Sequence, residues 1–188
     1  MRSYFIDATR EILKGEGLKA LSVRTIAERA GYSYATMYHY FKDIRELIFL
    51  CVQDFQAECA TYVQEETRDI VRASDLLKGC SIAFMKYFIQ YPGIFELFYL
   101  EKMNAIGGQK DIAVSIYSFH DRLCEEGWKR WADENGAGPE VVERMKARLR
   151  YAVTGMLLFY LNRRQPESWE EMHSQMHAVA EDCLSSLL

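Results

Sequence analysis

Hydrophobic residues recur along this chain at intervals of three and four, in runs cut mostly at glycine or proline. That spacing marks amphipathic helices, in which side chains three or four apart share a face. Phe5, Ala8, Ile12 and Leu13 form the inner stripe of a first helix predicted over 3–14, ended by Gly15 and Gly17. Ser22 is placed to cap a second helix by accepting a backbone N–H, and Val23, Ile26, Ala27 and Ala30 make its apolar side. Gly31 supplies the backbone freedom of a tight turn. Ser33 then caps a short third helix whose Met37 and Phe41 point together into a small core. Asp43 and Glu46 have the spacing of a capping box. They open a fourth helix, predicted to reach about residue 65, with Ile44, Leu47, Ile48, Cys51, Val52, Phe55 and Cys59 on one side.

The same periodicity predicts helices over 74–90, 92–103, 109–134, 139–163 and 167–187. Pro92-Gly93, Gly107-Gly108, Asn135–Pro139 and Gln165-Pro166 separate them. No internal repeat or flexible linker interrupts the series, so the fold class is all-α. A head of residues 1–45 and a second domain of 46–188 are expected to be joined by one continuous helix rather than a loop.

The outer side of the third helix carries the chemistry. Tyr34, Ala35, Thr36, Tyr38, His39 and Tyr40 are small, hydroxylated or aromatic, and no long acid stands among them. A short helix after a glycine turn with such a face suits the DNA major groove. The string Ile26-Ala27, Ala30-Gly31, Thr36-Met37-Tyr38, Tyr40-Phe41 and Glu46-Leu47, at these spacings, resembles the TetR family of transcriptional regulators. The likeness covers about the first quarter of the chain; the remainder is similar only in length, helicity and layout. It implies a homodimer with an N-terminal helix-turn-helix head and a C-terminal helical domain that binds a small-molecule effector.

On that likeness, Thr36, Tyr38 and Lys42 would contact phosphates, and Arg24, Tyr34, Ala35, His39 and Tyr40 would lie nearest base edges, with Thr25 and Ser33 opening the second and third helices beside them. Arg24 suits guanine, because its planar fork matches two acceptors. The family usually carries lysine at position 44 and this chain has Ile44, which removes one phosphate contact unless Arg45 or Lys42 replaces it.

Farther on, Phe84, Phe88, Phe95, Phe98, Tyr99, Met103, Tyr117, His120, Trp128, Met156 and Tyr160 are the residues expected to line an apolar effector cavity with hydroxyl handles. The last two helices show more apolar surface than one inward side requires. Met145, Leu149, Val153, Leu157, Trp169, Met172, Met176, Val179, Cys183 and Leu187 are therefore expected at a dimer interface, as the family pairs its last two helices.

Composition narrows the classes. With 188 residues, 49% of them hydrophobic and 13% aromatic, the chain can bury a sizeable core. Charged residues throughout the first twenty positions exclude a secretory signal. The most apolar run, 151–161, is far shorter than the roughly 20 residues of a membrane span. The five cysteines are scattered without a CxxC, which points to reduced thiols and the cytoplasm. The formal charge of −4 sits awkwardly with DNA, but the first fifty residues hold a small basic excess and the acids lie beyond. That thin positive field leaves helix N-termini and hydroxyls to supply many phosphate contacts.

His173 and His177 are four apart, as are His120 and Cys124, yet neither pair has a third ligand in view. No metal site or cofactor is expected. No catalytic motif appears, so the chain is read as a regulator rather than an enzyme. The competing reading is a helical small-molecule binder or enzyme with a vestigial helix-turn-helix.

Overall fold

The computed structural model describes residues 1–101, 110–163 and 165–185. Met103 and Leu187, and the expected break at Gly107-Gly108, fall outside the described residues. The order is α1 (Arg2–Gly15), a 3₁₀ turn (Leu18–Ala20), α2 (Val23–Ala30), α3 (Tyr34–Tyr38), α4 (Ile44–Thr67), α5 (Ala73–Gln90) and α6 (Pro92–Phe95). A π-helical stretch (Glu96–Leu100), α7 (Lys110–Tyr117), α8 (Phe119–Leu123), α9 (Glu125–Asn135), α10 (Pro139–Leu161) and α11 (Trp169–Ser185) follow. The chain is all-α, and no strand occurs among the described residues. No described helix is long and apolar enough to cross a membrane.

Two compact units result. The first comprises Met1–Glu58 with Tyr91–Tyr117, and the second Cys59–Gln90 with Ser118–Leu188. α4 runs unbroken through residue 58, so it contributes to both.

In the first unit, α1, α2 and α3 close around Phe5, Ala8, Ile12, Ile26, Met37, Phe41 and Leu47. Local chemistry sets each boundary. The Ser22 hydroxyl accepts from Thr25 N–H at 3.1 Å, and Thr25 Oγ1 accepts from Ser22 N–H at 2.9 Å. This reciprocal box satisfies two of the donors that the start of a helix leaves unpaired. Gly31 ends α2 in the left-handed region at φ 75°, where a side chain would be strained. Asp43 Oδ1 accepts from the N–H groups of Arg45 and Glu46 at 2.7 and 3.3 Å. Glu46 reaches back to Lys42 N–H at 3.1 Å rather than to Asp43, so the box at the start of α4 is widened by one residue. Gly93 lets α6 approach α1, since a Cβ there would stand 2.6 Å from the Leu13 carbonyl oxygen.

In the second unit, α5 is buried along most of its length and packs against α8, α9, α10 and α11. The helix expected over 109–134 is three, broken at Ser118 (φ −89°, ψ 5°) and Cys124 (φ −93°, ψ 6°). A ψ near zero tilts the peptide out of the helical ladder without any glycine or proline. α9 ends at Gly136 in the left-handed region and α10 starts on Pro139, the asymmetry usual at helix ends.

Burial corrects the expected interface. Met145, Leu149, Val153, Leu157, Met172 and Met176 are sealed within the single chain, each 0% exposed. They recur every four residues and form the inward faces of α10 and α11, so no surface of theirs remains for a second copy. Trp169, Val179 and Cys183 are half-buried. The apolar side chains that α10 does present outward are Tyr151, Leu158 and Phe159.

Candidate nucleic-acid interface

The third helix is short, so its integrity rests on its ends. Ser33 Oγ accepts from Thr36 N–H at 3.1 Å and lies 2.9 Å from Thr36 Oγ1. At the other end Phe41 N–H returns to the Met37 carbonyl at 3.0 Å. Met37 and Phe41 anchor the inner side, at 0 and 1% exposure. That anchoring turns the opposite side outward. Tyr34 is 65% exposed, Tyr38 52% and Tyr40 39%, and Ser33, Ala35, His39 and Lys42 are exposed beside them, with Thr36 half-buried. Tyr40 keeps one edge on the core, its ring 6.3 Å from that of Phe5. Tyr4, also exposed, lies 5.9 Å from the Tyr32 ring.

Thr25 is committed to structure, since its hydroxyl sits within 3.0 Å of both the Ala20 and Ser22 carbonyl oxygens. Arg24 projects into solvent and pairs with Glu28 at 2.8 Å. The Glu28 carboxylate, by hydrogen bond and charge, holds the guanidinium further in its charged form. Arg45 lies against Asp43 at 2.6 Å; its guanidinium hydrogen bond, foremost, draws the Asp43 carboxyl below its ordinary range. Arg29 is held by Glu16 at 2.6 Å and Glu11 at 3.7 Å. Arg10 and Lys14 share Glu58 at 2.9 and 2.6 Å. Among the described residues, Lys42 has no carboxylate within ion-pair distance of its ammonium, and it flanks α3. Ile44, in the place of the family's usual lysine, packs against the head's core cluster, which accounts for an apolar residue there.

The residues expected around an effector separate into groups. Phe84, Phe88 and His120 meet in the second unit, with ring centroids 4.7 Å apart for the two phenylalanines and 5.1 Å for Phe84 and His120. Phe95, Phe98 and Tyr99 meet in the first, Phe95 and Tyr99 at 5.1 Å. Trp128 is buried against Trp131 at 5.9 Å. Met156 and Tyr160 are half-buried. Tyr117 is 52% exposed, so its ring stands toward solvent rather than closing an apolar lining.

Sequence reasoning passed over an open groove of about 340 Å³ in the second unit, lined by Ile70, Ile82, Lys78, Lys86, His173 and His177 among others. The two histidine rings lie 4.5 Å apart. Burial, then the charge of His173, lowers the His177 pKa. Among the described residues no three His, Cys, Asp or Glu side chains converge as a metal set. Cys51 is packed beneath the Ile6 carbonyl, and burial pushes its thiol up to about 12, so it is inert at neutral pH.

A capped outward helix on a three-helix core, preceded by a glycine turn, defines a helix-turn-helix protein. Residues 5–51 match the model of the bacterial regulatory proteins, tetR family. The whole chain superposes on solved regulators. A TetR-like transcriptional regulator from Rhodococcus sp. RHA1 has a TM-score of 0.71 at 16% identity, over 98% of this chain and 95% of that one. The transcriptional regulator FadR from Bacillus subtilis, in complex with stearoyl-CoA, has a TM-score of 0.69 at 13% identity over the full length of both. The FadR of Bacillus halodurans, a fatty acid degradation regulator, gives 0.69 at 14%, over 99% of this chain and 95% of that one. No curated protein matches by sequence. The N-terminal domain belongs to the TetR family, and the chain as a whole has the fold of TetR-family transcriptional regulators.

Proposed function

We propose that the chain is a homodimeric transcriptional repressor of the cytoplasm, released from a palindromic operator by a small apolar or aromatic effector. The observation that carries this is the outward face of α3: three exposed tyrosines, Ala35 and His39 on a helix anchored from behind by Met37 and Phe41. In this reading residues 1–45 read DNA and 46–188 hold the effector and the partner copy. α3 enters the major groove of one half-site, and the two half-sites lie about 34 Å apart or a multiple of it. His39, Tyr34, Ala35 and Tyr40 face base edges. Arg24 reaches guanine once it exchanges Glu28 for the base. Thr36, Tyr38 and Lys42 hold phosphates, with Ser33 and Thr25 at the helix starts nearby.

The outward side chains Tyr151, Leu158 and Phe159 of α10 form the apolar part of the subunit contact. The buried aromatics support an apolar effector, and the long-chain acyl ligand of the Bacillus subtilis neighbour is in keeping with that class. Effector and DNA oppose each other by one coupling factor, so operator DNA weakens effector binding as much as effector weakens operator binding.

The test is selection of bound duplexes from random sequence, followed by substitution. A palindromic motif is expected. His39→Ala should relax base preference at one position, whereas Lys42→Ala should weaken all duplexes alike and lower the salt slope by about one. Enrichment of no motif, with uniform loss in both variants, removes the base-reading role.

A further inference from the structure

Most cations of the head are already committed. Arg10, Lys14, Arg24, Arg29 and Arg45 each meet a carboxylate at 2.6 to 2.9 Å. Among the described residues, Arg2, Lys19 and Lys42 have no carboxylate within ion-pair distance. Lys19 belongs to the 3₁₀ turn before α2. The other two converge on one place. The Arg2 guanidinium carbon stands 5.1 Å from the centre of the Phe41 ring, and Lys42 is the next residue of the chain.

Packing of α1 explains the approach. Its first turn carries no acid; Arg2, Ser3 and Tyr4 are exposed there, and Phe5 is buried. The Phe5 ring lies 5.6 Å from that of Tyr32, 6.3 Å from Tyr40 and 6.4 Å from Phe41. Tyr32 precedes the Ser33 cap, and Tyr40 and Phe41 follow the last turn of α3, so Phe5 touches the chain on both sides of that helix. The start of α1 therefore runs beside α3, with Arg2 at its Phe41 end and Tyr4 at its Tyr32 end.

The contact with Phe41 prepares Arg2 for an anion. An aromatic ring attracts a guanidinium through its quadrupole and consumes none of its N–H donors. Those donors form a planar fork that matches two phosphate oxygens, and a side chain ordered beforehand loses less freedom on binding. The opening of α4 supplies no cation at this point. Ile44 packs against the head's core cluster, and Arg45 gives two guanidinium hydrogen bonds to Asp43, at 2.9 and 2.6 Å.

We propose that Arg2 is a phosphate contact of the DNA interface, held over Phe41 so that its donors and the Lys42 ammonium close on the backbone flanking the half-site that α3 reads. This role presupposes the DNA-binding reading above and extends the interface from α3 to the first turn of α1. Arg2 reads no base, so its charge acts on all sequences alike.

Salt titration of duplex binding tests it, using the duplex enriched by selection and a scrambled duplex of equal length. Arg2→Met keeps an apolar stem over Phe41 and removes the charge. The plot of log Kobs against log salt should lose about 0.9 of slope for each bound subunit, on both duplexes, with the selected motif unchanged. Arg2→Lys keeps the charge and should keep the slope. Cooperative urea unfolding certifies each variant, and Arg2→Gln gives the same reading should Arg2→Met fail to fold. An unaltered slope in the uncharged variants, while the parent protein binds DNA in a salt-dependent way, overturns this role alone. An equal fall in Arg2→Lys assigns Arg2 to packing on Phe41 and overturns it too. A parent protein that binds neither duplex removes the DNA-binding reading itself.

Discussion

His120 makes the stability of this protein depend on pH in a way that can be isolated. The ring is 2% exposed and stands edge-on to Phe84. Burial foremost, and then the charge of Arg150, bring its pKa down from 6.5 to about 3. In the unfolded chain the imidazole titrates near 6.5. A folded pKa below the unfolded one means that the unfolded chain takes up a proton the folded chain refuses. The contribution is therefore whole above pH 6.5 and is lost as pH falls from there toward 3. Each pH unit in that window costs about 1.4 kcal/mol, so from pH 6.5 to 5 the loss is roughly 2 kcal/mol. That is a large part of the roughly 5–15 kcal/mol that holds a domain folded.

Folding also shifts the neighbouring Asp121 carboxyl, whose pKa burial foremost raises. The measurement must therefore be a difference. Urea unfolding of the protein and of His120→Gln at pH 7, 6 and 5 should show the gap between them closing by roughly 2 kcal/mol as acid is added. The His120 resonances should not shift between pH 7 and 5. Parallel acid loss in both proteins, or a histidine that titrates near 6.5 while the fold persists, would refute the reasoning.

Three further outcomes are expected. Ser33→Ala removes the α3 cap bond and should cost about 1 kcal/mol in urea unfolding; Ser33→Asp should keep that stability yet abolish DNA retention in a gel shift, by placing a carboxylate against phosphate. Gly93→Ala forces a Cβ to within 2.6 Å of a backbone oxygen of α1 and should cost roughly 1–3 kcal/mol, whereas Gly15→Ala, with open space around it, should leave the melting curve unmoved. Leu158→Lys combined with Phe159→Lys, at side chains 37 and 54% exposed, should yield folded monomers by sedimentation; an unchanged oligomer would remove that face from the subunit contact.

What the sequence disclosed was local. Ser22, Ser33, Asp43 and Gly31 act on groups within three residues of themselves, so spacing alone located the starts of α2, α3 and α4 and the turn between two of them. Periodicity did less where a partner had to be chosen. It says that Met145, Leu149, Val153 and Leu157 avoid water, but not whether their own chain or a second copy excludes it; here their own chain does. The breaks at Ser118 and Cys124 were invisible because neither residue is a helix breaker and the apolar stripe keeps its phase across both. Cys80 Sγ lies 3.8 Å from the Leu123 carbonyl oxygen, and only the packing of α5 against α8 and α9 brings these distant positions together. His120 and Cys124, four apart, were legible as neighbours; Ser81, whose hydroxyl lies 3.1 Å from the imidazole, was not.

The tethering of Arg10, Lys14, Arg24, Arg29 and Arg45 to carboxylates of the first unit has a kinetic corollary on the proposed reading. A random stretch of duplex offers little that these acids do not already provide, so adsorption is shallow and dwell times on irrelevant genomic tracts are short. A cognate site repays the exchange of partners because base edges are satisfied along with phosphates. The regulator then spends its time either in solution or at its target, and finds that target by frequent brief trials instead of long sliding runs.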